Sequence, residues 1–135
     1  MYSLSKRSLH NLEDVDERLV KLCEEAIKII NFDVLEGHRD KESQDNLYAN
    51  GMTEKPWPKS KHNKSPATAI DVLMTKHSQN RSDTLKQCTY LAGVFHALSH
   101  TFGFKVKWSG EDVLDLGTRG DITNLNKLCH FELVE

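Results

Sequence analysis

The segment SKHNKSPATAID, residues 60–71, decides how the chain is built, because it joins a proline-containing loop to a short apolar strand. It contains one histidine, His62, and one aspartate, Asp71. Near the other end of the chain, CHFELVE at residues 129–135 places His130 inside another apolar, strand-like run. The two segments raise the question of whether His62, Asp71 and His130 meet in the folded protein.

The chemistry of these three residues suggests a metal site. A catalytic zinc ion typically has three protein ligands and keeps a fourth position for water, and histidine and aspartate are common ligands. His62 falls at the end of the loop, whereas Asp71 and His130 fall in predicted strands, which hold ligands rigidly and could lie side by side. Spacing alone leaves this site a hypothesis.

Other histidines offer alternative ligands. His96 and His100 are four positions apart on a predicted helix, a spacing that can bind zinc, although HALSH lacks the glutamate of a metalloprotease helix. His10, His38 and His77 are further candidates. On the residues alone, a helix-surface or partly buried position is the simpler interpretation for the helical pair.

The composition favours a single soluble domain over residues 1–135. Three cysteines are an odd number without zinc-knuckle or redox spacing, so we expect buried free thiols. A net charge of −2 with mixed signs gives no support for nucleic-acid binding. The N-terminus lacks the apolar core of a signal peptide, and no run reaches the ~20 apolar residues that cross a bilayer. We therefore expect synthesis in the cytoplasm and no membrane insertion.

Apolar spacing predicts three helices, over residues 12–30, residues 41–51 and residues 82–102. The apolar residues of the first helix form one stripe, made of Leu12, Val15, Leu19, Leu22, Cys23, Ala26, Ile27 and Ile30. A polar residue that can cap the first turn stands at the start of each helix, and glycines can end the second and third. The predicted caps and stops are Asn11 for the first helix, Asp40 and Gly51 for the second, and Ser82 or Asp83 with Gly103 for the third.

Strands are predicted at residues 32–37, 69–74, 104–108 and 129–134. A loop with three prolines, residues 52–68, and a polar segment, residues 109–127, separate them. A loop as long as the first is usually functional or disordered in a compact domain. Strands outnumber the intervening helices near the C-terminus, which favours an α+β fold with a small antiparallel sheet packed with about three helices.

The two quoted segments together resemble the zinc peptidases that cut peptidoglycan stem peptides. These are the D-alanyl-D-alanine carboxypeptidases and the L-alanyl-D-glutamate endopeptidases, the latter common as phage endolysins, with a hedgehog/DD-peptidase-like fold. Their pattern is Ser-x-His, then Ala-x-Asp, then a distant His followed by an apolar residue and Glu. The matching residues here are Ser60, His62, Ala69, Asp71, His130, Phe131 and Glu132. Similar N-terminal segments, LSKRSLHNLEDVDERL and VLEGHRDKESQDNLYANG, extend the resemblance over nearly the whole chain.

The resemblance implies a zinc cofactor held by His62, Asp71 and His130, with a zinc-activated water as nucleophile. It also implies that Arg39 and Gln44 border the active site. Arg39 would steady the substrate or the oxyanion, because a guanidinium stays charged and offers paired donors. Gln44 would belong to the substrate-binding side of the site.

Three of the implied site residues also have ordinary structural interpretations. Arg39 can instead form a surface ion pair with Glu36 or Asp40. Ser60 can hydrogen-bond near the site as a substrate-binding residue, or it can stabilise a turn. Trp108 resembles the family's tryptophan before the last loop, where it would help to bind substrate, and it can equally be part of the core.

Lys127 departs from the family pattern. The family usually has Asp or Glu three residues before the last histidine ligand, where it moves a proton from the water to the leaving amine. A lysine ammonium has no lone pair and cannot act as a base unless its pKa falls greatly. Loss of a general acid–base typically costs ~10²–10⁴-fold in rate.

Three interpretations of Lys127 remain open. Another carboxylate substitutes for the missing one, or hydrolysis is lost, or Lys127 acts as base after desolvation. Glu132 is a candidate substitute because it lies two residues from His130 and so on the same face of the strand. The other candidates lie in the preceding loop and are Glu111, Asp112, Asp115 and Asp121.

The sequence thus predicts a zinc-dependent peptidoglycan stem-peptide hydrolase of the phage endolysin type, either an L-alanyl-D-glutamate endopeptidase or a D-alanyl-D-alanine carboxypeptidase. We expect it to act as a monomer on the cell wall after release from the host cytoplasm. Its predicted partner is the peptidoglycan stem peptide. The alternative is a catalytically impaired zinc-binding homologue that binds cell-wall peptide or has a structural role. A zinc-free scaffold is a weaker third hypothesis. The bond that is cut stays open, because carboxypeptidases and endopeptidases share the metal motif.

Overall fold

Helices and short strands follow one another along the chain. The structure is a computed structural model that describes residues 1–111 and 125–135, apart from the side chain of Leu125. The elements within these residues are α1 (Lys6–Asn11), α2 (Glu17–Ala26), β1 (Phe32–Glu36), α3 (Lys41–Ala49), a 3₁₀ turn (Lys61–Asn63), β2 (Ala69–Met74), α4 (Arg81–Phe102), β3 (Val106–Trp108), α5 (Leu125–Cys129) and β4 (His130–Leu133).

The strands form one antiparallel sheet in the order β1-β2-β4-β3. This confirms the predicted α+β fold with a small antiparallel sheet. In the β2–β4 pair, Asp71 lies directly opposite His130, and Ala69 lies opposite Glu132. Directly opposed residues of antiparallel strands share one face of the sheet. The register therefore places Asp71, His130 and Glu132 together on one face.

The opposite face of the sheet is the core. The Phe95 ring on α4 lies 5.4 Å from the Phe32 ring and 4.8 Å from the Phe131 ring. α2 packs beside α4 and completes this layer. All three cysteines are buried, and burial raises the pKa of their thiols, to about 11 for Cys88, so the prediction of buried thiols is confirmed.

The first predicted helix is correct only over α2, which covers Glu17–Ala26 rather than residues 12–30, and the separate short helix α1 precedes it. The Asp16 carboxylate caps α2 by accepting a hydrogen bond from the Arg18 backbone N–H at 2.9 Å. Asn11 is not a cap, since its side chain donates to the Val34 carbonyl at 2.8 Å. The predicted apolar stripe is nevertheless correct, because all its members are buried: Leu12, Val15, Leu19, Leu22, Cys23, Ala26, Ile27 and Ile30.

The other helix boundaries follow local capping chemistry. Asp40 caps α3 as predicted, but α3 ends at Ala49 with Asn50 as its C-cap. Asn80, rather than Ser82 or Asp83, caps α4, and Gly103 ends that helix at φ +85° as predicted. The left-handed backbone conformation at this position favours glycine, which has no Cβ to clash.

The C-terminal predictions are correct in part. β3 starts at Val106 rather than at residue 104, and β4 covers His130–Leu133 rather than residues 129–134. The predicted loop over residues 109–127 is wrong at its end, where α5 begins at Leu125, and residues 112–124 lie outside the described part. No helix in the described ranges combines the length and apolar character needed to span a bilayer.

Candidate metal centre

His62 lies on a 3₁₀ turn whose backbone is fixed from several directions. The Ser60 hydroxyl accepts a hydrogen bond from the His62 N–H at 3.2 Å, and the Asn63 side-chain oxygen accepts from the Ser60 N–H at 3.2 Å. The His62 carbonyl accepts from the Arg39 N–H at 2.8 Å. Ser60 therefore has the predicted turn role, and its contact with substrate stays a prediction.

The contacts of the His62 ring leave one nitrogen without a partner. Nδ1 lies 2.7 Å from the Gly37 carbonyl oxygen, which can only accept, so Nδ1 has the proton. The lone pair is then on Nε2, which is buried, has no hydrogen-bond partner and lies 3.4 Å from the Asp71 Oδ1 atom. A lone pair that faces a carboxylate oxygen is unfavourable unless a cation lies between them. This geometry fits a metal ligand whose other ring nitrogen is bound to a carbonyl.

Gly37 makes the contact with His62 possible. A Cβ atom at this position would overlap the Asn11 carbonyl oxygen and lie 2.7 Å from a Val15 methyl carbon. Only glycine allows the end of β1 to approach α1 this closely. The Gly37 carbonyl is thereby held where it accepts from His62.

Asp71 and His130 complete the cluster. The Asp71 Oδ1 atom lies 3.0 Å from His130 Nδ1, and the two histidine rings lie 5.2 Å apart. One potential ligand atom from each of His62, Asp71 and His130 lies within 4.8 Å of the other two. The structure thus brings together the three residues that the sequence proposed as ligands.

The electrostatics of the cluster favour charged groups. Burial opposes ionisation of Asp71, but the hydrogen bond with His130 and the proximity of the His62 ring outweigh it and hold the pKa of Asp71 well below its usual value. Burial likewise opposes protonation of His130, but Asp71 and Glu132 raise its pKa to about 9. His130 thus takes up positive charge between two carboxylates when no other cation is present.

Arg39 lies beside the cluster in a buried polar network. Its Nη1 atom donates to the Gln44 side-chain oxygen at 2.9 Å, and the Asn63 amide donates to the same oxygen at 3.1 Å. Gln44 is fully buried, and its amide donates to the Lys55 carbonyl at 2.6 Å. The Arg39 Nε atom is buried without a hydrogen-bond partner and lies 3.6 Å from a Glu36 oxygen. Gln44 therefore positions Arg39, and direct contact of either residue with substrate stays a prediction.

The other predicted site residues lie in different settings. Trp108 is buried, and its indole N–H donates to the Leu128 carbonyl at 2.7 Å, as expected for a core residue. Lys127 is exposed on α5. The Glu111 carboxylate lies 3.3 Å from His96 Nε2. Asp112, Asp115 and Asp121 lie outside the described residues.

The helical histidine pair does not form a comparable group. Among residues 1–111 and 126–135, only His62, Asp71 and His130 form a group of three or more potential metal ligands. His100 is exposed, and His96 contacts Glu111. The structure therefore favours the cluster over the alternative on α4.

Lys61 and Asn63 contribute to the site, although no sequence pattern indicated either residue. Lys61 contacts Glu132, and Asn63 contacts Gln44 and the Arg39 carbonyl at 3.1 Å. Their partners are distant in sequence, so no spacing could indicate these contacts. Their position on either side of His62 was the one available signal.

The sheet and the cluster define a small α+β protein with a candidate metal centre. The chain also matches a family model over residues 1–134. It belongs to the family of phage L-alanyl-D-glutamate peptidases, which confirms the resemblance seen in the sequence. Membership indicates a hydrolase that acts on peptidoglycan peptides.

A solved structure supports the fold. The chain is similar to the L-Ala D-Glu endopeptidase ChiX from Serratia marcescens, with a TM-score of 0.71 and 21% identity over 97% of this chain and 89% of that chain. At this level of identity the likeness shows the shared fold. Comparison with curated proteins finds no significant match.

Proposed function

We propose that the protein is a zinc-dependent peptidoglycan endopeptidase that cuts the L-alanyl-D-glutamate bond of the stem peptide. The observation that supports this most strongly is the buried His62 Nε2 atom, which faces Asp71 without a hydrogen-bond partner. His62, Asp71 and His130 would hold the zinc ion. Two imidazoles and one carboxylate suit a catalytic zinc ion, which keeps a further position for water.

The zinc ion, when bound, supplies a Lewis acid that lowers the pKa of water towards ~7 and polarises a carbonyl group. The residues of this chain do the rest. The Gly37 carbonyl holds the His62 ring through Nδ1, so that Nε2 faces Asp71 at 3.4 Å, and the sheet register places Asp71 opposite His130. Rigid strands are well suited to such a site because they keep the ligands in place.

Arg39 would bind the negative charge of the substrate or of the developing oxyanion. Its guanidinium is held by Gln44, and its Nε atom is buried without a hydrogen-bond partner. A preorganised donor of this kind is typically worth ~10²–10³-fold in rate. The basic loop around Trp57, with Lys55 and Lys59, would favour an anionic peptide near the same site.

The family supports the endopeptidase activity over the carboxypeptidase activity, because the matching model describes L-alanyl-D-glutamate peptidases. The carboxypeptidase alternative is separated by product analysis. An endopeptidase releases peptides that begin with D-glutamate, whereas a carboxypeptidase releases free D-alanine. We further propose a monomer with one domain over residues 1–135 that reaches the cell wall after release from the host cytoplasm.

The test is digestion of purified peptidoglycan with the protein in zinc-containing buffer and in chelator. We expect new amino termini on D-glutamate, their loss in chelator and their return with zinc. The variant Asp71→Asn should release none, while His100→Ala, which changes an exposed histidine on α4, should match the wild type. Activity that survives both chelator and Asp71→Asn would overturn the proposal.

Lys127 favours a second candidate, a zinc-binding homologue that binds stem peptide and hydrolyses it poorly. Lys127 is exposed on α5 at the position where the resemblance places a carboxylate. Glu132, Glu111 or a carboxylate of residues 112–124 could replace it, or Lys127 itself could act. If the chain lacks its acid–base group, Lys127→Asp should raise the rate by ~10²-fold or more. An unchanged or lower rate would show that another residue of the native protein already moves the proton.

A further inference from the structure

Lys61 and Glu132 form an ion pair beside the candidate zinc ligands. We infer that this pair is a positioning device that fixes the orientation of His130, so that its Nδ1 atom faces Asp71 and the zinc ion. The inference rests on the proposed function, since it concerns how the same zinc site is built.

The contacts form a continuous chain from Lys61 to the cluster. The Lys61 Nζ atom lies 2.8 Å from Glu132 Oε2 and donates to the Leu133 carbonyl at 2.9 Å. Glu132 Oε1 lies 3.1 Å from His130 Nε2, and His130 Nδ1 lies 3.0 Å from Asp71. The Lys61 and Glu132 side chains are only 31% and 18% exposed, so water competes weakly with their contact.

The chemistry of imidazole explains why such a device is useful. Either ring nitrogen can bind a metal, and the hydrogen bond made by one nitrogen decides which atom has the lone pair. A carboxylate at Nε2 accepts a hydrogen bond from the Nε2–H group, which keeps the proton on Nε2 and leaves the Nδ1 lone pair as the ligand. Lys61 in turn keeps Glu132 from rotating towards the cation.

The same geometry assigns a role to Glu132. One of its oxygens contacts His130 and the other contacts Lys61. Glu132 is therefore a positioning residue rather than the group that moves the catalytic proton. Because Lys61 precedes His62, this short turn supplies one ligand directly and orients the second through Glu132.

The test is zinc affinity of the metal-free protein, measured by competition with a chromophoric chelator. Glu132→Ala should weaken binding by ~10–100-fold, as is typical of partners that orient metal ligands. Lys61→Met should weaken it less, and the double variant should be no weaker than Glu132→Ala. Lys64→Met is the matched control, because Lys64 is an exposed lysine of the same loop, and it should leave zinc affinity unchanged.

A second measurement separates orientation from general damage. Long-range ¹H–¹⁵N NMR of the zinc-loaded wild type should show His130 bound through Nδ1 with a proton on Nε2. Glu132→Ala should give a mixture of the two orientations, with Glu132→Leu, whose side chain cannot accept a hydrogen bond, as a substitute should the alanine variant not fold. Wild-type zinc affinity in both Lys61→Met and Glu132→Ala, or Nε2 ligation in the wild type, would overturn the inference alone. A wild type that binds no zinc would overturn the proposed function as well.

Discussion

His62 and His130 lie far apart in the sequence and converge on one carboxylate, whereas His96 and His100 lie one turn apart on α4 and form no such group in the described part of the chain. The difference is in what surrounds each ring. His62 is held by Gly37 and His130 by Glu132, while His96 contacts Glu111 and His100 is exposed. Sequence spacing suggested possible metal ligands on α4. Strand register and supporting hydrogen bonds instead bring His62, Asp71 and His130 together.

The largest expected effect is on a ligand of the cluster. His62→Ala should abolish stoichiometric zinc binding and reduce peptidoglycan hydrolysis by more than the ~10–100-fold typical of supporting residues. His96→Ala should leave both nearly unchanged. Metal analysis of the purified variants and amino-terminus release give the measurements. Equal losses in the two variants would remove the distinction between the two histidine regions.

The next effect concerns Arg39, whose backbone N–H donates to the His62 carbonyl beside the cluster. Arg39→Lys should lower the rate by ~10²–10³-fold while zinc content stays at the wild-type level, because lysine cannot reproduce the paired donors of the guanidinium. Arg7→Lys, at an exposed position of α1, is the matched control. Steady-state kinetics together with zinc analysis make the test, and zinc loss in Arg39→Lys would indicate a structural role instead.

Two glycine substitutions, one at Gly37 beside the cluster and one at Gly93 on α4, should change the free energy of unfolding in opposite directions. Gly37 is enclosed by Asn11 and Val15, so Gly37→Ala should cost about 1–3 kcal/mol or more and should weaken zinc binding. Gly93 is exposed on α4 with nothing within 4 Å of an added Cβ, so Gly93→Ala should stabilise the helix by about 0.5–1 kcal/mol. Urea unfolding gives both values. Opposite signs are the expected result, and a stable Gly37→Ala protein with normal zinc affinity would contradict it.

The last effect is the pH dependence of the metal-free protein. The pKa of His130 is about 9 in the folded protein and ~6.5 when unfolded, because its contacts with Asp71 and Glu132 outweigh burial. Protonated His130 therefore contributes stability that is complete below pH ~6.5 and is lost as the pH rises through about 9. Asp71, whose pKa is lowered, contributes stability above pH ~3.9 that is lost on acidification.

Thermal unfolding in chelator measures this dependence. The free energy of unfolding should fall by about 3 kcal/mol between pH ~6 and pH ~10, at about 1.4 kcal/mol for each unit by which the pKa of His130 is raised. Asp71→Asn should flatten the change, since it removes the carboxylate nearest to His130. A wild-type profile that is already flat would show that the cluster is not charged in the metal-free state.

The first predicted helix shows which structural features can be predicted from an apolar sequence pattern. Every residue of the predicted stripe is buried, because apolar side chains leave water whatever the exact backbone path. The predicted start at residue 12 is nevertheless wrong, since Asp16 caps the helix that begins at Glu17 and Asp14 has φ +54°. The apolar pattern correctly indicated which face of the helix is buried. The position where α2 begins was decided by the Asp16 cap and by the long-range hydrogen bond from Asn11 to Val34.

The sequence by itself determined the candidate ligand residues, the strands that hold Asp71 and His130, and the family, because each depends on residue identity and short-range spacing. Tertiary structure alone decided that Asp71 stands opposite His130, that the Gly37 carbonyl sets the proton on His62, and that Lys61 holds Glu132. These contacts join residues that are distant in the chain. Their geometry follows from strand register and packing, which no local pattern of residues encodes.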